Sequence, residues 1–282
     1  MEMIRTVAKA WNIPDIRKKI IFTLVMLLIF RIGSQIPVPG IDRDILAQTF
    51  DSGTGLFALF NLFSGGAFSN FTIFALSITP YITASIILQL LTIAVPSLER
   101  LAKEGTEGRK KIAQYTRYMT VILAIIQAIG VSVGLFRQAL ISTSFFDVAV
   151  IVLVLTAGTA FLMWLGEQIN EYGIGNGISL IIFAGIVSRL PSAVQEIWTK
   201  LQDGSMSIVT LIIFLIFCVL VIVGIIEVQQ GQRRIPVQYA KRVVGRKMYG
   251  GQATHIPLKV NQAGVIPVIF AMSFLQFPQI GR

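Results

Sequence analysis

The sequence is poor in charged residues and in the residue types that build most catalytic and metal sites. Only 13% of its 282 residues are charged, and it contains one cysteine, Cys218, and one histidine, His255. A single cysteine excludes an intramolecular disulfide. Neither residue has the companions that would complete a metal site or a nucleophile with its base. We therefore predict no catalytic residues, no metal site and no cofactor, and we predict that the protein is not an enzyme.

Apolar residues, by contrast, make up 54% of the chain, which is more than a soluble domain of this size could bury. They occur in blocks, several of which approach the ~20 residues needed to cross ~30 Å of hydrocarbon. These features predict an all-α, polytopic integral membrane protein. The seven blocks are Ile20–Ile36, Phe71–Val95, Tyr118–Phe136, Phe145–Gly166, Asn176–Leu190, Ile208–Ile226 and Ala263–Ile280. Because no polar segment follows the last block, we expect the fold to be incomplete within this chain.

Lysine and arginine are distributed unequally between the connections. Eighteen lie in the N-terminal arm, in the connection between the second and third blocks and in that between the sixth and seventh, whereas four lie in the alternate connections. Because short basic connections stay on the cytoplasmic side, the N-terminus is predicted to be cytoplasmic. Residues 1–19 form a basic amphipathic segment, which fits either a helix lying in the cytoplasmic interface or a simple anchor for the first block.

A short segment containing glycine and serine, NLFSGGAFSN (61–70), separates two apolar runs. Ten residues of helix reach roughly 15 Å, so this segment cannot span a bilayer. Gly65 and Gly66 each cost about 1 kcal/mol relative to alanine in a helix, which predicts a weakly stable half-helix. Two interpretations stay open at this point: a removable stopper beside a pathway, and a loop that dips into the interface.

The second block is amphipathic in an unusual way. Pro80 lies near its middle and predicts a kink. Ile78 and Ile82 share one helical face with three polar residues nearer the cytoplasmic end, Ser85, Gln89 and Thr92. This face fits a watered vestibule that closes on an apolar constriction. It also fits ordinary helix packing, in which the polar side chains bond to neighbouring helices.

The blocks offer few fixed charges to a solute. Arg31 is the one charged residue that lies away from the ends of the blocks, and we expect its long side chain to reach the membrane interface. The glycine-rich stretch GIGNGIS (173–179) resembles a phosphate-binding loop only superficially, since no strand precedes it and no P-loop lysine follows. We predict a turn that enters a helix. A pathway without fixed charges suits a substrate whose charge and shape vary.

The connection between the sixth and seventh blocks, residues 229–262, is strongly basic. Pro236 and Gly245 predict turns within it. Retention of the loop in the cytoplasm by positive charge would explain the composition, and so would docking to a phosphate-bearing partner, because arginine matches phosphate geometry. The six clustered residues are Arg233, Arg234, Lys241, Arg242, Arg246 and Lys247.

Several long segments resemble one known family. They are NLFSGGAFSNFTIFALSITPYITASIILQLL, EGRKKIAQYTRY, FLMWLGEQINEYGIGNGISLIIFAGIVSRLP, GQRRIPVQYAKR and HIPLKVNQAGVIPVIFA. In this order they are similar to SecY, the central subunit of the bacterial protein-conducting channel. The resemblance implies a SecY-type bundle of ten membrane helices in two halves. The chain would then comprise the cytoplasmic segment 1–19, the N-terminal half with helices one to five at 20–190, and the start of the C-terminal half at 191–282, with helix six, the loop 229–262 and a truncated helix seven.

The resemblance also implies site residues. An apolar ring would close the pore with Ile78, Ile82, Ile178, Ile182 and Ile269. A plug would fill the outer funnel with Asn61, Leu62, Phe63, Ser64, Gly65, Gly66, Ala67, Phe68, Ser69 and Asn70. Ile86 and Gln89 would border a lateral gate that opens towards lipid. The six clustered basic residues would dock the ribosome or a motor protein.

The implied function is a channel that conducts unfolded polypeptides across the bacterial cytoplasmic membrane and releases transmembrane segments into lipid. The implied partners are the SecE and SecG subunits, the SecA motor ATPase, ribosomal RNA, nascent chains with their signal sequences, and membrane lipids. An inverted-repeat secondary transporter of a small solute is the alternative, because such folds also use broken helices around a midplane site.

Overall fold

A computed structural model describes residues 13–41, 64–135, 140, 144–237, 242–244, 247–249, 254–261 and 264. The described residues fall into two compact units, one up to Ala193 and the other from Val194 onward. The helices are α1 (Pro14–Gly33), α2 (Thr79–Ala94), α3 (Pro96–Lys103), α4 (Thr106–Ile129), α5 (Phe145–Tyr172), α6 (Gly177–Val187), α7 (Leu190–Gln202) and α8 (Ile208–Gln230). The all-α prediction is confirmed.

Four helical stretches among the described residues are long and apolar enough to cross a membrane. They are Thr106–Gly134, Phe145–Tyr172, Gly177–Gln202 and Ile208–Gln230. A fifth is formed if α2 and α3 count as one span, although they are bent by 102° at Val95. Helix α1 does not belong to this set, because its first turns and its last turn carry charges, from Asp15 to Lys19 and at Arg31. The N-terminal residues 1–12 and nearly all of the seventh block lie outside the described residues.

The helices of the first unit pack around α5. Helices α1, α4 and α6 contact α5, and α2 packs along α4. Most of the buried residues of α5 are apolar or glycine. Glycine allows the closest approach: a Cβ atom at Gly158 of α5 would collide with the carbonyl oxygen of Ile73. This packing brings the chain that precedes α2 against the centre of α5.

The second block is not one continuous helix, and the prediction of a kink at Pro80 is wrong. Residues 64–78 form successive turns, and α2 begins only at Thr79, with Pro80 in its first turn. Proline is tolerated there because the first backbone N–H groups of a helix have no intrahelical acceptor. Phe71 and Ser77 have positive φ angles of 43° and 52°, which interrupt a helix before this point.

The turns before α2 are tied to the end of α1. The amide of Val38 donates a hydrogen bond to the carbonyl of Phe71 (3.0 Å), and the amide of Ile73 donates to the carbonyl of Ile36 (3.0 Å). Between them, Pro37 and Thr72 form an antiparallel bridge. These bonds satisfy backbone groups that no helix serves, and they fix where the glycine-rich segment enters the bundle.

The second unit contains α8 and a β-ribbon that the sequence did not predict. Strand β1 (Gln232–Val237) pairs antiparallel with β4 (Thr254–Lys259), and β2 (Arg242–Val244) pairs with β3 (Lys247–Tyr249). The predicted turn at Pro236 is wrong, because Pro236 lies within β1 opposite His255. A two-stranded ribbon has only edge strands, which tolerate proline. Gly245 lies outside the described residues.

Candidate functional site

Three of the predicted ring isoleucines come together in one apolar cluster, which we call the constriction cluster. Its buried members are Phe30, Ala67, Phe74, Ile78, Leu162, Leu165, Ile169 and Ile181. Ile82 and Ile178 are partly buried and pack against it. Ile78 is 1% exposed and occupies the N-cap position of α2, while Ile82 lies one turn further along. The structure therefore joins the N-terminal end of α2 to the N-terminal part of α6.

The ring assignment on α6 is only partly matched. Ile181, which is 1% exposed, belongs to the constriction cluster, whereas Ile182 is partly exposed and is not among the described residues that pack against it. Residues three and four positions after Ile178 share its helix face, so the sequence could not separate these two candidates. Ile182 stays a prediction, as does Ile269, which lies outside the described residues.

The start of α6 is fixed by a dense set of hydrogen bonds. The side-chain oxygen of Asn176 accepts from the amide of Ser179 (3.1 Å), and that of Asn170 accepts from the amide of Gly177 (2.8 Å). A Cβ atom at Gly177 would collide with the carbonyl oxygen of Gly166 in α5. The GIGNGIS stretch is thus a capped turn that enters a helix, as predicted. It holds the side chain of Ile178 against Gly166: a Cβ atom added at Gly166 would lie 3.1 Å from Cγ1 of Ile178.

The described part of the predicted plug, Ser64–Asn70, consists of turns, so the prediction of a half-helix is wrong for it. Gly65 and Gly66 have φ angles of +63° and +91°, which residues with a Cβ atom rarely adopt. The glycine pair is therefore needed for its left-handed backbone. Asn61, Leu62 and Phe63 lie outside the described residues.

The same glycine pair also allows close packing. A Cβ atom at Gly65 would lie 2.8 Å from the Cα atom of Gly185 in α6, and one at Gly66 would lie 3.0 Å from Nη2 of Arg189. Residues Ser64–Phe68 are buried. Ala67 belongs to the constriction cluster, so the plug segment and the ring isoleucines share one apolar contact surface.

Hydrogen bonds hold the turns of the plug segment. The amide of Phe68 donates to Oγ of Ser64 (3.1 Å), and the amide of Asn70 donates to the carbonyl of Gly66 (3.3 Å). Thr72 donates both its amide (3.0 Å) and its hydroxyl (3.3 Å) to the carbonyl of Ala67. The segment is consequently seated by specific contacts, in contrast to the weakly stabilised element that the sequence predicted.

Arg31 reaches the plug segment, which sequence reasoning missed. Its Nη1 atom donates to Oγ of Ser188 (3.2 Å), to the carbonyl of Gly65 (3.4 Å) and to Oγ of Ser34 (3.5 Å). The side chain was expected at the membrane interface. The sequence did contain one indication of this role. Arg31 is a lone charge inside an apolar block, and such residues usually have a function.

The polar face of α2 makes no hydrogen bond to another helix within the part of the chain that the structure describes. Thr92 donates its hydroxyl to the carbonyl of Gln89 (2.6 Å) in its own helix, and Gln89 is exposed. Helix packing through Ser85, Gln89 and Thr92 is therefore not supported by the described contacts. Ile86 is 8% exposed whereas Gln89 is exposed, so the two predicted gate residues, three positions apart on α2, differ in burial.

The basic ribbon presents exposed cations. Arg233 and Arg234 are exposed in β1, and no acidic side chain pairs with either of them among the described residues. Arg242 and Lys247 lie in the paired strands β2 and β3. Lys241 and Arg246 lie outside the described residues. Within the described ranges, no cluster of three His, Cys, Asp or Glu side chains could hold a metal ion.

Comparison with known proteins decides the family. The SecY family model matches residues 72–281. The chain belongs to the SecY family. It is 53% identical to the protein translocase subunit SecY of Halalkalibacterium halodurans, over 98% of this chain and 66% of that protein. It is 49% identical to SecY of Escherichia coli K12, over 95% of this chain and 62% of that protein. The SecY-family chain thus spans slightly less than two thirds of the length of these relatives.

Solved structures with the same fold are protein-conducting channels. The SecY-family chain superposes on one such channel with a TM-score of 0.68 at 22% identity, over 94% of this chain and 58% of the other. It superposes on a SecY whose plug domain is described as stabilising the closed state and maintaining a membrane seal (TM-score 0.66, 20% identity, 93% and 57% covered). For canine Sec61 in a ribosome-channel complex the TM-score is 0.65 at 22% identity, with 94% and 58% covered. At these identities the likeness shows the fold. With its apolar helices, the SecY-family chain is a multi-pass membrane protein.

Proposed function

We propose that this chain forms the first part of a channel that conducts unfolded polypeptides across the bacterial cytoplasmic membrane. The single observation that carries the proposal is the constriction cluster, in which Ile78, Ile82 and Ile178 meet Ala67 of the plug segment. Flexible uncharged side chains can adapt to any passing chain without offering a fixed binding charge. An apolar constriction also stops ions by dewetting.

The names of the relatives support this proposal. Proteins that are about half identical to the chain are protein translocase subunits, and the fold neighbours are protein-conducting channels. One neighbour has a plug domain that maintains a membrane seal, and Ser64–Phe68 occupies a buried seat against α6 here. We assign to Asn61–Asn70 the same task of sealing the resting channel.

The channel would also release apolar segments sideways into lipid. Ile86 lies at the middle of α2 and Gln89 in its C-terminal half, and in this proposal α2 would separate from the seventh helix when the gate opens. An apolar segment gains a few tenths of a kcal/mol per residue on entering lipid, so a long segment can offset the cost of parting two helices. Signal sequences and transmembrane segments of nascent chains are the proposed gate openers.

The proposed partners fit the basic ribbon and an N-terminus in the cytoplasm. Arg233, Arg234 and their basic neighbours would dock ribosomal RNA or, in turn, the SecA motor ATPase. The fold neighbour Sec61, which is found in a ribosome-channel complex, supports the first of these partners. The smaller subunits SecE and SecG would complete the channel. We propose neither an enzymatic activity nor a cofactor for this chain.

The alternative, a secondary transporter of a small solute, has less support. Such transporters bind and couple through charged or polar groups at mid-membrane depth. Among the described members of the constriction cluster, α2 and α6 contribute isoleucine, leucine, alanine and tyrosine side chains, none of which carries a charge. Nothing in the described residues favours a binding site for a small solute.

The test compares two isoleucines of α2 in the full-length protein, reconstituted in liposomes with its partner subunits. Ile82 packs against the constriction cluster, whereas Ile93 on the same helix is 81% exposed. We expect Ile82→Asn to raise the ion leak of the resting channel and to let precursors with defective signal sequences pass, while Ile93→Asn leaves both unchanged. Solute uptake that Ile82→Asn abolishes, without any translocation of precursors by the wild type, would support the transporter.

A further inference from the structure

We propose that Arg31 is the latch that holds the plug segment in its closed seat, a positioning role that rests on the proposed channel function. The observation behind it is the convergence of three elements on one atom. Nη1 of Arg31, in the last turn of α1, donates to the carbonyl of Gly65 in the plug segment and to Oγ of Ser188 at the end of α6.

The oxygen atoms around Nη1 of Arg31 are all available as hydrogen-bond acceptors, so they match a side chain that only donates. The hydroxyl of Ser188 donates its proton to the carbonyl of Gly185 (2.7 Å), and the hydroxyl of Ser34 donates to the carbonyl of Arg31 (2.7 Å). Both oxygens are therefore left as acceptors towards the guanidinium. The Gly65 carbonyl is an acceptor as well. Nη1 of Arg31 carries two N–H donors and no acceptor, so it can donate to these three oxygens when two of them share one hydrogen.

The steric fit of the plug segment makes these bonds possible. Gly65 lies directly against Gly185, one turn before Ser188, because neither residue has a side chain to separate the two backbones. This contact brings the Gly65 carbonyl and the Ser188 hydroxyl within reach of the same nitrogen atom. If the plug segment leaves α6, the bond to Gly65 is lost while Ser34 and Ser188 still hold the arginine.

The hydrogen bonds of the latch are also weak enough to break when the channel opens. Two of the three distances, 3.4 Å and 3.5 Å, are long for N–H···O bonds. Arg189 packs against Gly66 and lies within electrostatic range of Arg31, and like charges repel. Within the described residues, neither arginine has a carboxylate partner. The latch consequently favours the closed plug modestly, as a channel that must open for its substrate requires.

The experiment measures the ion conductance of the resting channel in liposomes that contain the full-length protein and its partner subunits. We expect Arg31→Gln to raise the leak about tenfold, the size expected for the loss of one hydrogen bond to a charged group. Arg31→Lys keeps the charge but loses the planar guanidinium, and we expect an intermediate leak. Ser188→Ala should act in the same direction, and its effect should be absent when Arg31 is already glutamine.

Two controls separate a latch from a general loosening of the bundle. Arg117→Gln removes another contact between helices, the 2.7 Å ion pair of α4 with Glu167 of α5, and should leave the leak unchanged. Deletion of residues 61–70 should raise the leak by itself, and Arg31→Gln should add nothing in that background. A leak at the wild-type level in Arg31→Gln, or an equal increase with and without the plug, would overturn the latch. A wild type that leaks little but translocates no precursor would instead overturn the proposed function.

Discussion

Gly65 of the plug segment and Gly185 of α6 meet backbone to backbone: a Cβ atom at position 65 would lie 2.8 Å from the Cα atom of Gly185 and 2.9 Å from its carbonyl oxygen. This contact joins a segment that precedes α2 to the C-terminal half of α6. It explains why the sequence places two glycines between apolar runs, since both a left-handed backbone and a close approach are required.

Replacing Gly65 with alanine should therefore unseat the plug. A left-handed conformation costs a residue with a Cβ atom roughly 1–2 kcal/mol, and the contact with Gly185 adds a collision. We expect Gly65→Ala to raise the resting ion leak in liposomes. Gly105→Ala is the matched control, because Gly105 has a similar φ of +78° but open space around its Cα atom. If both variants leak alike, backbone strain alone is responsible and the seat against α6 is not.

The cap at the start of α6 should stabilise the protein. Asn176 accepts from the amide of Ser179, and removal of such a cap typically costs about 1 kcal/mol. We expect Asn176→Ala to lower the midpoint of thermal unfolding in detergent, and Asn176→Asp, which can still accept the bond, to restore most of it. An aspartate variant as unstable as the alanine variant would contradict the capping role.

Burial predicts a large difference in stability between variants of Ile78, at the N-cap of α2, and of Ile93, near the other end of that helix. Ile78 is 1% exposed within the constriction cluster, so Ile78→Ala should destabilise the protein by about 2–5 kcal/mol through lost contacts and a cavity. Ile93→Ala, at an exposed position, should change the thermal midpoint little. Equal shifts of the thermal midpoint in the two variants would contradict the described packing, because they would mean that both side chains have similar surroundings.

Reversing the charge of the basic ribbon should abolish docking to phosphate-bearing partners. Arg233 and Arg234 are exposed and free of acidic partners within the described ribbon. We expect Arg233→Glu with Arg234→Glu to eliminate ribosome binding at low salt, and wild-type affinity to fall steeply as salt rises. The double lysine variant keeps both charges and should bind with intermediate affinity. Unchanged binding by the double glutamate variant would refute the docking role.

The sequence predicted the long apolar helices well because hydropathy governs them. Helices α5 and α8 begin at Phe145 and Ile208, where the blocks begin. It failed where local backbone geometry governs: α2 begins at Thr79, eight residues after the start of its block, because positive φ angles at Phe71 and Ser77 leave no trace in hydropathy.

The sequence also failed where partners are distant along the chain. Arg31 bonds to Gly65, 34 residues away, and to Ser188, 157 residues away. No local pattern links these positions, so the general tendency of arginine to reach the interface was the only guide. In the basic loop, the charge pattern does not indicate strands, whereas Ile235 and Val237 of β1 and Ile256 and Leu258 of β4 recur at every second position, as in a strand.

The central claim is that the ring isoleucines line the path of the translocating chain, and photo-crosslinking from single positions tests it most directly. A photoreactive residue would be placed at Ile82, at Ile178 or at the exposed Ile93 of the full-length protein, and a precursor would be stalled halfway across. The account predicts strong crosslinks to the precursor from positions 82 and 178 and crosslinks to lipid from position 93. Crosslinks to lipid alone from positions 82 and 178 would contradict it.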